Sequence, residues 1–116
     1  MPKTTTALLI KFVMTFLAAA VAFALVGTVT WSWVLIVSLA GTSINFLLGD
    51  LLILPSFGNI VAAVGDGLLG AATAYVIALI IPTAVSASSL AAFGLLVAVG
   101  EYFFHKYLVR AGVVNR

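Results

Sequence analysis

Four apolar stretches, each close to the length of one bilayer crossing, take up most of this chain. A helix rises about 1.5 Å per residue, so about 20 apolar residues span a hydrocarbon core about 30 Å thick. The stretches cover about 6–26, 34–54, 60–81 and 90–109, with three short breaks between them. Their hydrophobicity is continuous and does not alternate, which argues against a β-barrel. Within 116 residues, four crossings leave only loops and tails, with no room for a soluble domain. Composition agrees: 65% of residues are hydrophobic and 7% charged, against about 45–50% and about 25% in soluble domains. A soluble globule, a disordered tail and a nucleic-acid binder are excluded, since each needs a charged or solvated surface. The expected fold is an all-α membrane protein, a bundle of four transmembrane helices with short loops, forming one domain over residues 1–116.

The breaks carry local signals. Gly27-Thr28-Val29-Thr30-Trp31-Ser32-Trp33 combines Gly with β-branched residues, a poor helix interior, and its paired Trp suits the headgroup belt. Pro55 is expected to stop the second helix. Pro55-Ser56-Phe57-Gly58-Asn59 reads as a tight turn, with Asn59 as the N-cap of the third helix. Pro82 ends the third helix, and residues 83–89 form a small polar loop. Lys3 and Lys11 before an apolar run, with Ala22-Phe23-Ala24 inside it, imitate a signal peptide. Lys11 lies within the run, however, and no hydrophilic mature region follows, so the segment is read as the first membrane helix.

Basic residues set the orientation. Lys3, Lys11, Lys106, Arg110 and Arg116 all lie toward the two termini, and the loops at 27–33 and 82–89 contain none. The positive-inside rule then places both termini in the cytoplasm.

Six ionisable residues fall in or beside the apolar runs: Lys11, Asp50, Asp66, Glu101, His105 and Lys106. A charge near mid-membrane costs about 2.5–3.5 kcal/mol, so each requires an explanation. Asp50 and Asp66 stand eight residues either side of Gly58, at about 12 Å of helix from the turn. Lys11 lies about one turn inside the first helix, and Glu101 about two turns before the end of the fourth. All four charges therefore share one layer in the cytoplasmic half.

Direction agrees with depth. At helical spacing, Lys11 shares a stripe with Thr4, Ala7, Thr15, Ala18 and Ala22. Asp66 shares one with Asn59, Ala62, Ala63, Gly70 and Thr73, and Glu101 lines up with Gly94, Ala98 and His105. Ser38, Thr42, Asn45 and Gly49 form the small-polar stripe of the second helix, with Asp50 and Ser43 at its edge. Large apolar residues such as Val13, Leu17, Ile44, Leu47, Leu68 and Phe103 occupy the opposite faces, which should meet lipid while the small faces pack together. The expected layer comprises Lys11, Asp50, Asp66, Glu101 and His105, supported by the polar residues Thr15, Asn45, Asn59 and Thr73. Asp66 is the preferred partner of Lys11.

Two functional classes follow. Lys11 with three acids makes a structural ion-pair layer that fixes helix register, in a structural or accessory membrane protein. Alternatively, one buried Lys against three carboxylates holds a proton or attracts a small cation, because like charges at low dielectric cannot all ionise. That describes a small proton- or cation-coupled transporter or channel. Glu101 and His105, one turn apart, could ligate a metal, but one such pair does not make a site, and no metal or cofactor is expected. There is no Cys, no nucleophile motif and no phosphate loop, so no catalytic residue is assigned and an enzyme is not expected. The expected partners are the lipid bilayer and a second copy or another membrane protein, through spacings such as Ala63-Gly67-Ala71.

Leu9-Ile10-Lys11-Phe12-Val13-Met14-Thr15, Gly49-Asp50-Leu51-Leu52-Ile53-Leu54-Pro55, Gly58-Asn59, Asp66 and Glu101-Tyr102-Phe103-Phe104-His105-Lys106-Tyr107 together resemble the YndM-like family of small four-helix bacterial membrane proteins, a domain of unknown function. The resemblance spans nearly the whole chain. It implies a bacterial cytoplasmic (inner) membrane protein and brings no assigned activity.

Overall fold

A computed structural model describes residues 3–25 and 29–113. Four long helices make up the bundle: α1 (Lys3–Leu25), α2 (Trp31–Phe57), α3 (Asn59–Ile80) and α4 (Ala87–Ala111). Each is long and apolar enough to cross a membrane. No strand occurs among the described residues. Lys3 Nζ lies near Gly112, so the start of α1 and the end of α4 meet at one end of the bundle.

Helix ends follow local chemistry. The Trp33 N–H donates to Thr30 Oγ1, and the Ser89 N–H donates to Ser86 Oγ, which caps α2 and α4 at their N-termini. Ile81 is extended ahead of Pro82, the conformation that proline imposes on its predecessor. Gly112 closes α4 in the left-handed region at φ 79°.

Three expectations about boundaries need correction. α2 begins at Trp31 and not near 34, because Thr30 supplies the cap. It also runs through Pro55, which sits in the first turn of a short terminal α-helical segment, Leu54–Phe57, where proline is tolerated. The chain reverses at Gly58 alone, at φ 89°. Asn59 is consequently the first residue of α3 and not its cap. Gly27, Thr28 and Arg116 lie outside the described residues.

The last turns of α1 (Ala20–Leu25) and the stretch Asn45–Ile53 of α2 are π-helical. The Leu54 N–H reaches back to the Gly49 carbonyl, five residues earlier. An i→i+5 register puts residues five apart on one face. Asn45 with Asp50, and Gly49 with Leu54, therefore share the buried side. Asp50 thus turns fully inward, while Ser43, its companion at the edge of the stripe, stays exposed.

Two apolar layers sandwich the charged residues. In one, Phe23 packs edge-on against Trp33 with centroids 5.0 Å apart and lies 5.2 Å from Phe93. The other joins Ala7, Leu54, Ala62, Phe104 and Leu108 toward the start of α1 and the end of α4. Trp33 is thus a core residue, unlike exposed Trp31. α3 and α4 pack through glycine. A Cβ on Gly67 would lie 2.5 Å from the Gly94 carbonyl oxygen, and one on Gly94 would lie 3.1 Å from that of Gly67. Such backbone approach is how helices associate where no hydrophobic effect drives them. Val13, Leu17, Leu47, Leu68 and Phe103 are exposed on the outer faces, whereas Ile44 is half-buried. Thr4 is exposed and Ala18 only half-buried, at the margins of the α1 stripe.

Candidate functional site

Each helix sends at least one charged side chain to a common point between the two apolar layers. Lys11 comes from α1, Asp50 from α2, Asp66 from α3, and Glu101 and His105 from α4, and all five are completely buried. Lys11 Nζ lies 2.7 Å from Glu101 Oε1, 3.0 Å from Asp50 Oδ2 and 3.8 Å from Asp66 Oδ2. Asp66, the partner preferred from the sequence, is the most distant of the three acids. Its Oδ2 is drawn instead to His105 Nε2, 2.9 Å away. The ammonium also sits 5.2 Å from the centre of the Phe104 ring, a cation–π contact.

His105 is the hub of the other side. Its Nε2 faces Asp50 Oδ1 at 2.7 Å, Asp66 Oδ2 at 2.9 Å and Glu101 Oε2 at 3.2 Å. Its Nδ1 lies 2.8 Å from Asn59 Oδ1. Asn59 Nδ2 donates to the Tyr102 carbonyl at 2.8 Å, so Oδ1 is the atom left to accept, and Nδ1 carries the proton. Released from a capping role, Asn59 fixes the tautomer of the histidine.

The supporting polar residues divide. Asn45 Nδ2 donates to the Asp66 carbonyl at 3.3 Å, which ties α2 to α3 beside the acids. Thr15, one turn from Lys11, is buried, and its Oγ1 has no hydrogen-bond partner. Thr73 does not join the site: it is half-buried and two turns, about 10 Å of helix, beyond Asp66. Lys106 stays outside as well, exposed with its Nζ 4.6 Å from the centre of the Tyr102 ring.

Gly49, a member of the small-polar stripe and of the segment that carries the family resemblance, has a direct part in the site. A Cβ there would collide with the Asp66 carboxylate, so this glycine makes the room in which Asp66 turns. Phe104 was not foreseen, although its position beside His105 was visible.

A family model described as a protein of unknown function (DUF2512) matches residues 2–115. The chain belongs to that family. No curated protein and no solved structure matches it. In this DUF2512 chain a surface cleft of about 740 Å³ opens between the α2–α3 turn and the end of α4, lined by Asn59, Tyr102, His105, Lys106 and Arg110 among others. It therefore ends against the Asn59–His105 pair, the outermost wall of the buried cluster. Chemically, the cluster offers six carboxylate oxygens and one ring nitrogen around a single permanent cation. It can hold positive charge.

Proposed function

We propose that this DUF2512 chain is a bacterial inner-membrane protein that takes up a small cation or a proton at the buried cluster, as part of a small transporter or channel. One observation carries the reading: three fully buried carboxylates meet one lysine. A clamp between helices needs one acid per base; with Lys11 and His105 as the two bases, a third acid is left in surplus, and in a low-dielectric site it demands a proton or a cation. The cleft that ends at His105 supplies an approach from the end where α1 starts and α4 stops. Lys3, Lys106 and Arg110 stand at that end, and the positive-inside rule supports its facing the cytoplasm. The resemblance to YndM-like proteins supports the bacterial assignment.

The structural or accessory reading has its own support, since every helix contributes a charge and the layer would fix register among all four. Reconstitution in liposomes separates the two. Proton or cation flux above that of empty vesicles, lost in Asp66→Asn and kept in Leu68→Ile, is the expected result. Absence of flux for every ion tried would leave the clamp.

A further inference from the structure

The class of cation can be taken further, on the premise that the cluster is a cation site. One ligand atom from each of Asp50, Asp66, Glu101 and His105 can be chosen so that all lie within 4.8 Å of one another. The two oxygens of Asp50 and of Glu101 are divided: Asp50 Oδ2 and Glu101 Oε1 face Lys11, while Asp50 Oδ1 and Glu101 Oε2 face His105 Nε2. With Nδ1 held toward Asn59, Nε2 is the ring atom that faces three carboxylate oxygens, and a metal ion that displaced its proton would take the lone pair of a neutral imidazole there. Glu101 Oε2 is fully buried, is directed at Nε2 and has no hydrogen-bond partner, and Asp66 Oδ1 is also buried without one. Four electron-pair donors thus converge, which is the arrangement a metal ion completes.

Charge selects the valence. Three carboxylates and Lys11 sum to −2, and a neutral His105 adds nothing. One divalent ion neutralises the site, and a monovalent one leaves it negative. An imidazole among the ligands favours zinc, iron or nickel over magnesium or calcium. The Asn59 contact to Nδ1 is the outer support that metal-bound histidines use to fix the ring. Metal–ligand bonds of about 2.1 Å in a tetrahedral site put neighbouring ligand atoms about 3.4 Å apart, so His105 Nε2, now 2.7–3.2 Å from the three oxygens, must draw back by a few tenths of an ångström to admit the ion.

We infer that Asp50, Asp66, Glu101 and His105 bind one divalent first-row transition-metal ion, with Lys11 beside them as counter-charge. This goes past the expectation from the sequence, which saw only Glu101 and His105 together.

The test uses the full chain in detergent, without a histidine tag and stripped by chelator, titrated with Mn²⁺, Co²⁺ or Zn²⁺. The chain has a single His and no Cys, so an imidazole ligand, recognised by its outer-ring scattering in X-ray absorption or by its remote-nitrogen ¹⁴N coupling, reports His105 alone. One ion per chain with that signature is expected. His105→Gln should remove the signature, and Asn59→Ala, which keeps all four ligands, should weaken binding about tenfold. No saturable binding to the wild-type chain, or binding without a nitrogen ligand, would overturn the inference, and neither result depends on a variant folding. Proton flux in liposomes without metal binding would sink the metal site and spare the cation reading. Stoichiometric, nitrogen-ligated metal without any flux would keep the site and remove transport.

Discussion

His105 Nδ1 and Asn59 Oδ1 stand 2.8 Å apart, and this contact decides which ring nitrogen faces the acids. Asn59 holds its own orientation by donating to the Tyr102 carbonyl, so the start of α3 sets the chemistry of a residue on α4. Asn59→Ala removes both bonds. It should cost about 1–3 kcal/mol, because the imidazole and the carbonyl are left with weaker partners. Thermal unfolding in detergent measures the loss. An unchanged midpoint would mean that water replaces the amide at no cost.

Lys11→Met leaves three buried carboxylates with only His105 beside them, and breaking a buried pair from one side costs about 3–5 kcal/mol. Adding Glu101→Gln should recover more of that loss than adding Asp66→Asn, since Glu101 supplies the nearest oxygen at 2.7 Å and Asp66 lies 3.8 Å away. Unfolding midpoints of the two double variants give the order. The reverse order would show that the cluster rearranges once the lysine is gone.

Two glycine substitutions should behave differently because their obstacles differ. Gly67→Ala drives a methyl into the Gly94 carbonyl, which is backbone and cannot step aside, so α3 and α4 separate at about 1–3 kcal/mol. Gly49→Ala meets only the Asp66 carboxylate, which can rotate away. Displacing that carboxylate from His105 breaks a buried pair, so the substitution should empty Asp66 from the cluster at a cost of about 3–5 kcal/mol. Leu68→Ile, on a side chain 69% exposed, should be nearly silent. Equal losses for all three would mean that the packed and outer faces are misassigned.

Reporter fusions check the orientation. A reporter after Arg116 should be cytoplasmic, and one within residues 83–85, between α3 and α4, should lie on the other side. Both on one side would reduce the number of crossings.

Much of this was legible along the chain. The four spans, the depth of each charge and the division into small and large faces follow from hydrophobic runs and a fixed rise and turn per residue, which are local quantities. The position of Lys11, Asp50, Asp66 and Glu101 in one layer needed only counting from Gly58 and from the helix ends. What counting could not supply is the rotation of each helix against its neighbours. Asp50 reaches the centre because α2 widens to an i→i+5 register over Asn45–Ile53. That departure from regular spacing places Asn45 and Asp50 on one face, where they meet Asp66 and Lys11. Asn59 has the composition of a cap, and only the nearness of α4 turns it into the support of His105. Lys11 lies closer to Glu101 than to Asp66 for the same reason: His105, on the far side, competes for Asp66. Trp33, whose pairing with Trp31 suggests an interfacial residue, is buried because Phe23 packs edge-on against it. The sequence determined the four spans and where along each helix the charges stand, through properties carried by each helix alone. The tertiary structure decided which of them touch, since a pairing depends on two helices at once.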